Sequence, residues 1–301
     1  MPYLPTNFGL LDDADADYGP ARMVVLPVPF ERTVSYGRGT AEGPAAILRA
    51  SQNMELYDEE TGGEAYRQGI ATLPPFLPEH PELAEALSEL EAECRRHLEA
   101  GKFLVTLGGE HSLTIAPVRA ARRHLAARGA ALGVVQFDAH ADLREAYEGT
   151  PYSHAAVMSR VVEEGLPTLA VGLRSLSAPE GEVIRARNLP VIWGWELDEP
   201  GTAERFARHL DALPDDVYLT FDIDYFDPAL VPATGTPEPG GGRWWPTLRL
   251  LRTLFERKRV VAMDVVELAP LAGVPASDFV AARLVYKCAG YLDAGRGRTA
   301  G

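Results

Sequence analysis

From residue 22 onward the chain alternates short apolar runs with longer stretches whose apolar residues recur at helical spacing. No other feature limits its folding so tightly. The runs fall at 22–28, 103–107, 132–136, 168–172, 191–192, from 217 into an acidic tip, and at 260–266. Helices are expected over about 45–54, 81–100, 113–128, 153–164, 179–187, 202–213, 247–258 and 277–292. Apolar runs this short read as strands buried on both faces. Strands that alternate with helices pack as a mostly parallel sheet covered on both sides, a three-layer α/β/α domain. No internal repeat and no low-complexity segment interrupts the pattern. Residues 1–20, acidic and broken by Pro and Gly, are expected to form an irregular arm, residues 21–294 one catalytic domain, and residues 295–301 a frayed tail. The proline-rich connector at 73–81 is not a domain boundary, because the groups that must complete one site all lie on one side of it.

In sheets of this kind ligands bind beyond the carboxyl ends of the strands, and the chemistry-bearing residues fall there. Phe137-Asp138-Ala139-His140-Ala141-Asp142 follows the 132–136 run. On an extended chain, side chains two apart point the same way, so Asp138, His140 and Asp142 are expected on one side of the backbone. Asp222 and Asp224 repeat the arrangement after the run that begins at Val217, and His111 ends the 103–107 run within Gly108-Gly109-Glu110-His111-Ser112. Taken singly, each tip reads equally well as loop-capping carboxylates or a satisfied histidine. Together they crowd like charges that need either solvent or a cation between them, and three tips of these residue types favour the cation. Four carboxylates with two imidazoles suit oxygen-loving ions such as Mn²⁺ or Mg²⁺. Two such ions about 3.5–4 Å apart can share bridging carboxylates and activate a water.

The balance of 29 basic and 43 acidic residues, a formal charge of −14, argues against nucleic acid as a partner and favours a cationic substrate; solubility alone explains it equally well. Two cysteines, Cys94 and Cys288, make neither a disulfide framework nor a zinc site. The start of the sequence has no secretory pattern, and no apolar run reaches membrane-spanning length. A cytoplasmic protein with no membrane partner is expected.

Three segments, Gly108-Gly109-Glu110-His111-Ser112, Phe137-Asp138-Ala139-His140-Ala141-Asp142 and Phe221-Asp222-Ile223-Asp224-Tyr225-Phe226-Asp227-Pro228, resemble the metal-binding signatures of the ureohydrolases, the arginase and agmatinase family. The resemblance runs from about residue 35 to about 290 with the motifs in order, and is strongest to bacterial agmatinases. It implies an arginase-like fold and two Mn²⁺ per subunit. One ion would be held by His111, Asp138, Asp142 and Asp222, the other by Asp138, His140, Asp222 and Asp224. It further implies that a bridging hydroxide attacks a guanidinium carbon gripped by Glu267, while His154 shuttles protons. Alone, Glu267 reads as a solvated strand-end acid and His154 as an ordinary helix-start histidine. The loop that contains Thr236 matches a further family signature beside the substrate. A trimer or hexamer is expected, since family members commonly assemble so.

Arginases place an Asn soon after the second motif to hold the substrate α-carboxylate, where this chain has Leu143 and Arg144. The expected reaction is therefore hydrolysis of agmatine to putrescine and urea, a step of polyamine biosynthesis. Glu145 and Glu148 are expected near the substrate's far amine. Guanidinobutyrase or arginase activity, a metallophosphatase, and a non-catalytic metal-binding protein with the same fold are the alternatives. Completeness of the ligand set with His154 and Glu267 disfavours the last. The acidic balance and the want of a cationic phosphate clamp disfavour the phosphatase.

Overall fold

A computed structural model describes residues 7–295. Its framework is one eight-stranded sheet in the order β2-β1-β3-β8-β7-β4-β5-β6. The strands are β1 (Met23–Val28), β2 (Ile70–Thr72), β3 (Phe103–Gly108), β4 (Leu132–Phe137), β5 (Thr168–Leu173), β6 (Val191–Trp193), β7 (Asp216–Asp222) and β8 (Arg259–Val266). Every neighbouring pair is parallel, which is the expected arginase-like α/β fold in a stricter form. Among the described residues the α-helices are α1 (Asp13–Ala16), α2 (Gly43–Ser51), α3 (Leu83–Glu99), α4 (Ile115–Ala126), α5 (Val157–Glu163), α6 (Ala178–Arg187), α7 (Thr202–Asp211), α8 (Trp244–Arg257) and α9 (Ala276–Ala294).

Because successive strand side chains point to opposite faces, the sheet feeds two cores. Val25, Val105, Val135, Leu219 and Val265 pack with residues of α2, α7, α8 and α9 on one face. Val24, Leu104, Val134, Tyr218 and Ala262 meet residues of α3, α4 and α5 on the other. Burial on both faces is why the strands read as continuous apolar runs rather than as alternating ones.

Two expectations need correction. The expected irregular arm carries a 3₁₀ turn, Phe8–Leu10, and the short α1. It packs on the domain through Phe8, fully buried in the first core. The helix expected from residue 153 begins as a 3₁₀ turn, His154–Ala156, before α5. The expected tail lies outside the described residues beyond Gly295, which caps α9.

Candidate metal centre and cavity

The four strands at the centre of the sheet, β3, β8, β7 and β4, end beside one another and supply the candidate site. Parallel neighbours lie about 4.8 Å apart, so groups at adjacent tips converge if the registers match. They match closely: Phe137 pairs with Phe221, Asp222 with Val266, and Leu107 with Val265. Asp138 and Asp222 thus leave the sheet at one level, Glu267 follows β8 by one residue, and His111 starts the 3₁₀ turn after β3.

Five of the six expected ligands gather in two overlapping groups, and Asp222, expected to bridge them, belongs to neither and stands beside the first. His111 Nδ1 lies 3.2 Å from Asp138 Oδ2, 3.0 Å from Asp142 Oδ2 and 3.3 Å from Asp222 Oδ2. His140 Nδ1 lies 2.8 Å from Asp224 Oδ2 and 3.8 Å from Asp138 Oδ1. His111, Asp138 and Asp142 form one cluster of ligand atoms, and Asp138, His140 and Asp224 the other. Asp138 therefore turns one oxygen to each histidine, as a bridging carboxylate must. All of these groups are buried except His140, whose side chain is about a quarter exposed.

The backbone reaches this arrangement differently from a straight extension. Asp142 sits in the left-handed region at φ 51°, and residues Ile223–Tyr225 form a 3₁₀ turn in which Asp224 N–H donates to Asp222 Oδ1 at 2.9 Å. The i, i+2 pairs do converge, but the second convergence is made by this turn rather than by strand pleat. Glu267 is also left-handed, at φ 65°. Its amide donates to Gly109 O at 2.8 Å and its Oε1 accepts the His111 amide at 2.6 Å. Non-glycine residues held there cost of order 1–3 kcal/mol and cluster at functional sites.

The hydrogen bonds of His111 leave it suited to a metal. Thr220 Oγ1 donates to Asp264 Oδ1 at 2.7 Å, so its oxygen can only accept from His111 Nε2, 2.9 Å away. Nε2 then carries the proton and Nδ1 is left bare, buried, without a hydrogen-bond partner, and ringed by three carboxylates. Positive charge is required at that point, either a proton or a metal ion, and the donor set of oxygens and imidazoles fits the latter. The thiols cannot compete, since Cys94 and Cys288 are buried away from the cluster. With no cation between them, burial and the neighbouring Asp142 and Asp224 push the Asp138 carboxyl up to about 7. Asp222 is driven well above the usual carboxylate range by burial, Asp224 and Asp138. Burial opposes charge on His140, but Asp224 outweighs it, helped by Asp138 and Asp142, and carries the imidazole up to about 11. Burial raises the Glu267 carboxyl to about 8, against the pull of the His111 amide.

A cavity of about 280 Å³ opens over the cluster. His154, Glu267 and Thr236 line it with His111, His140, Asp142, Asp222 and Asp224, so every expected site residue but the buried Asp138 reaches its wall. Thr236 arrives on the expected glycine-rich loop, pinned where Gly37 N–H donates to Gly235 O at 3.1 Å. The far end departs from expectation. Glu145 and Glu148 do not line the cavity, whereas Arg144, Tyr147 and Glu180 do. The Arg144 guanidinium lies 5.1 Å from the Tyr147 ring centroid. Both Glu180 oxygens are engaged, one by the Leu143 amide and one by Ser177.

Residues behind the ligands escaped sequence reading. Asp264 is fully buried and accepts from Thr114, Tyr218, Thr220 and the Phe221 amide. Gln136 Nε2 donates to Asp138 Oδ2 at 2.8 Å. An acid in the middle of the apolar 260–266 run was the one available signal.

Residues 21–290 match the arginase family. The N(1)-aminopropylagmatine ureohydrolase of Synechocystis sp. is 41% identical over 293 residues, covering 95% of this chain and 94% of that protein. The agmatinase of Pyrococcus horikoshii is 33% identical over 289 residues, covering 94% and 93%. Among solved structures, the agmatine ureohydrolase of Thermoplasma volcanium superposes with a TM-score of 0.83 at 31% identity over 93% of both chains. The chain belongs to the arginase family. Within it, the relatives place the protein among the ureohydrolases, hydrolases of the agmatinase kind.

Proposed function

We propose that this protein hydrolyses the guanidinium group of an amine-ended substrate, agmatine or its N(1)-aminopropyl derivative, releasing urea and the corresponding amine. The observation that carries this reading is that Glu267 and the two histidine–carboxylate groups share one open cavity. A planar guanidinium pairs with a carboxylate through charge-assisted hydrogen bonds. Glu267 Oε1 is held by the His111 amide, which leaves Oε2 for the substrate and ties the guanidinium's position to the ligand cluster. His111, Asp138, Asp142 and Asp222 would hold one Mn²⁺, and Asp138, His140, Asp222 and Asp224 the other. Bound divalent ions supply Lewis acidity and lower the pKa of water, so that hydroxide is available near neutral pH. His154, half-buried on the cavity wall, carries protons between solvent and the reacting nitrogen.

The aminopropyl derivative is the favoured substrate of the two. The relative at 41% identity bears that name, whereas the agmatinase of Pyrococcus horikoshii stands at 33%. The open rim accommodates it: Tyr36, on the cavity wall, is 83% exposed, so a longer amine arm stays hydrated there without a buried partner. Arg144 favours a second reading, 4-guanidinobutyrate, whose carboxylate a rim guanidinium would receive. Urea release from agmatine, N(1)-aminopropylagmatine, 4-guanidinobutyrate and arginine, measured side by side with Mn²⁺, decides. Amine-ended substrates should exceed the carboxylate-ended ones in kcat/KM by about 10³-fold, the scale of a mismatched polar group in a site. A preference for guanidinobutyrate or arginine overturns the substrate assignment.

A further inference from the structure

We propose that Thr33, held by Glu110, is a positioning residue that fixes the ring orientation and tautomer of His154. Neither residue belongs to the ligand set or was singled out for chemistry by the sequence. Glu110 is fully buried at the exit of β3. Its carboxylate accepts the Thr33 amide at 2.6 Å, the Thr33 hydroxyl at 2.7 Å, and further bonds from the Arg32 amide and the Ser112 hydroxyl. The two loops are pressed together because Gly109 lacks a side chain: a Cβ there would lie 1.9 Å from Phe30 O. Thr33 is therefore locked in place by a tip that also carries His111.

The consequence for His154 follows from proton accounting. A carboxylate only accepts, and a hydroxyl has one hydrogen to give. Thr33 spends that hydrogen on Glu110, so toward His154 its oxygen can only accept. It takes the His154 amide at 3.0 Å and stands 3.3 Å from Nδ1. The second contact is attractive only when Nδ1 bears the proton, which leaves the Nε2 lone pair available as the base. Bonding to a carboxylate also makes the Thr33 oxygen a stronger acceptor. Ser153 is the rival, because its hydroxyl lies 3.2 Å from the same nitrogen. Donation from Ser153 would put the proton on Nε2 instead. Ser153 is fully buried and, among the described residues, its hydrogen points to no acceptor but this nitrogen, so the two hydroxyls compete. Ser153 Oγ is otherwise held by a long 3.4 Å contact from the Ala155 amide, whereas Thr33 has a buried carboxylate behind it and the His154 backbone in front. The firmer anchoring of Thr33 favours its side of the competition.

The tautomer is read directly by ¹⁵N–¹H correlation of the imidazoles in the full chain, free of paramagnetic metal. The seven histidines make assignment tractable: the His154 signals are those lost in His154→Gln. The wild type should show His154 protonated at Nδ1. Thr33→Val should move the proton to Nε2, as Ser153 takes over, and Thr33→Ser should restore the original pattern. Turnover with Mn²⁺ should fall at least about 10-fold in Thr33→Val with KM little changed, part of the 10²–10⁴-fold that a placed acid–base group supplies, and recover in Thr33→Ser. Protonation at Nε2 in the wild type, or an unchanged tautomer in Thr33→Val, overturns the proposal. The activity arm rests on the ureohydrolase reading. The spectroscopic arm does not, so failure of the substrate assignment and failure of the positioning role are told apart.

Discussion

Replacing Thr220 with Val probes how the metal centre is built while leaving every candidate ligand in place. The two side chains have nearly the same shape, so the change is chemical. Thr220 Oγ1 accepts from His111 Nε2 and donates to Asp264. Its loss leaves one buried N–H without an acceptor and deprives Asp264 of one of four donors. An unsatisfied buried group costs about 1–3 kcal/mol, and the remaining three donors keep the Asp264 contribution at the lower end. The larger effect falls on the metal. Without an acceptor at Nε2 the imidazole is free to move its proton to Nδ1, the nitrogen that faces the three carboxylates, and every such event removes a ligand. Changes of this kind behind a metal ligand typically weaken affinity about 10–100-fold. Mn²⁺ titration against a competing chelator measures the affinity, and Thr220→Ser is the control that should restore it. Affinity within about twofold of wild type in Thr220→Val, a departure well short of that typical loss, would refute the tautomer assigned to His111 and with it the case that the residues are preorganised for a metal.

Asp138→Ala should deplete both metals, because each Asp138 oxygen faces a different histidine, whereas His111→Ala should deplete mainly one; elemental analysis of the purified variants shows which. Glu267→Gln should lower kcat/KM by about 10²-fold or more through loss of a charge-assisted pair yet retain metal, and full activity would remove Glu267 from substrate binding. Lys287 is buried against Asp58 at 2.9 Å, so Lys287→Met should destabilise by about 3–5 kcal/mol, as expected when one partner of a buried pair is removed. Burial pushes the Asp58 carboxyl up, but Lys287 and Thr61 outweigh it and hold it below its ordinary value. Its stabilisation is therefore present above the unfolded value near pH 4 and is lost as pH falls through the lower folded one. Thermal unfolding of Asp58→Asn should differ from wild type at pH 7 and converge with it in strong acid.

The sheet was legible because strands covered on both faces must be apolar throughout, and such runs stand out. β2 went unread because three residues, Ile70–Thr72, carry no periodicity. The clustering of the candidate ligand tips was legible because several ionisable side chains packed at the end of an apolar run repel one another unless solvent or a cation separates them. Glu110 and Thr33 were not, since they meet across 77 positions of sequence and a threonine in a loop has no signature. Thr220 was hidden by its own suitability for a strand. The acidic rim expected from Glu145 and Glu148 failed because proximity in sequence to Asp142 says nothing about direction once the chain turns left-handed there.

Asp222, in β7, and Asp138, directly after β4, are anchored on interior strands, whereas His154, the proposed proton carrier, stands on a loop. β3, β8, β7 and β4 lie inside the sheet, flanked by β1 and β5, with the three-residue strands β2 and β6 at its edges. Amides in such interior strands exchange with solvent only when the whole domain unfolds, while edges and loops open in smaller cooperative steps. His154 belongs to the second group, on a 3₁₀ turn at the end of the loop that leaves β4. Mild urea should thus silence turnover while the metals are still held, and the hydrogen-exchange protection of residues 154–156 should collapse before that of 132–137.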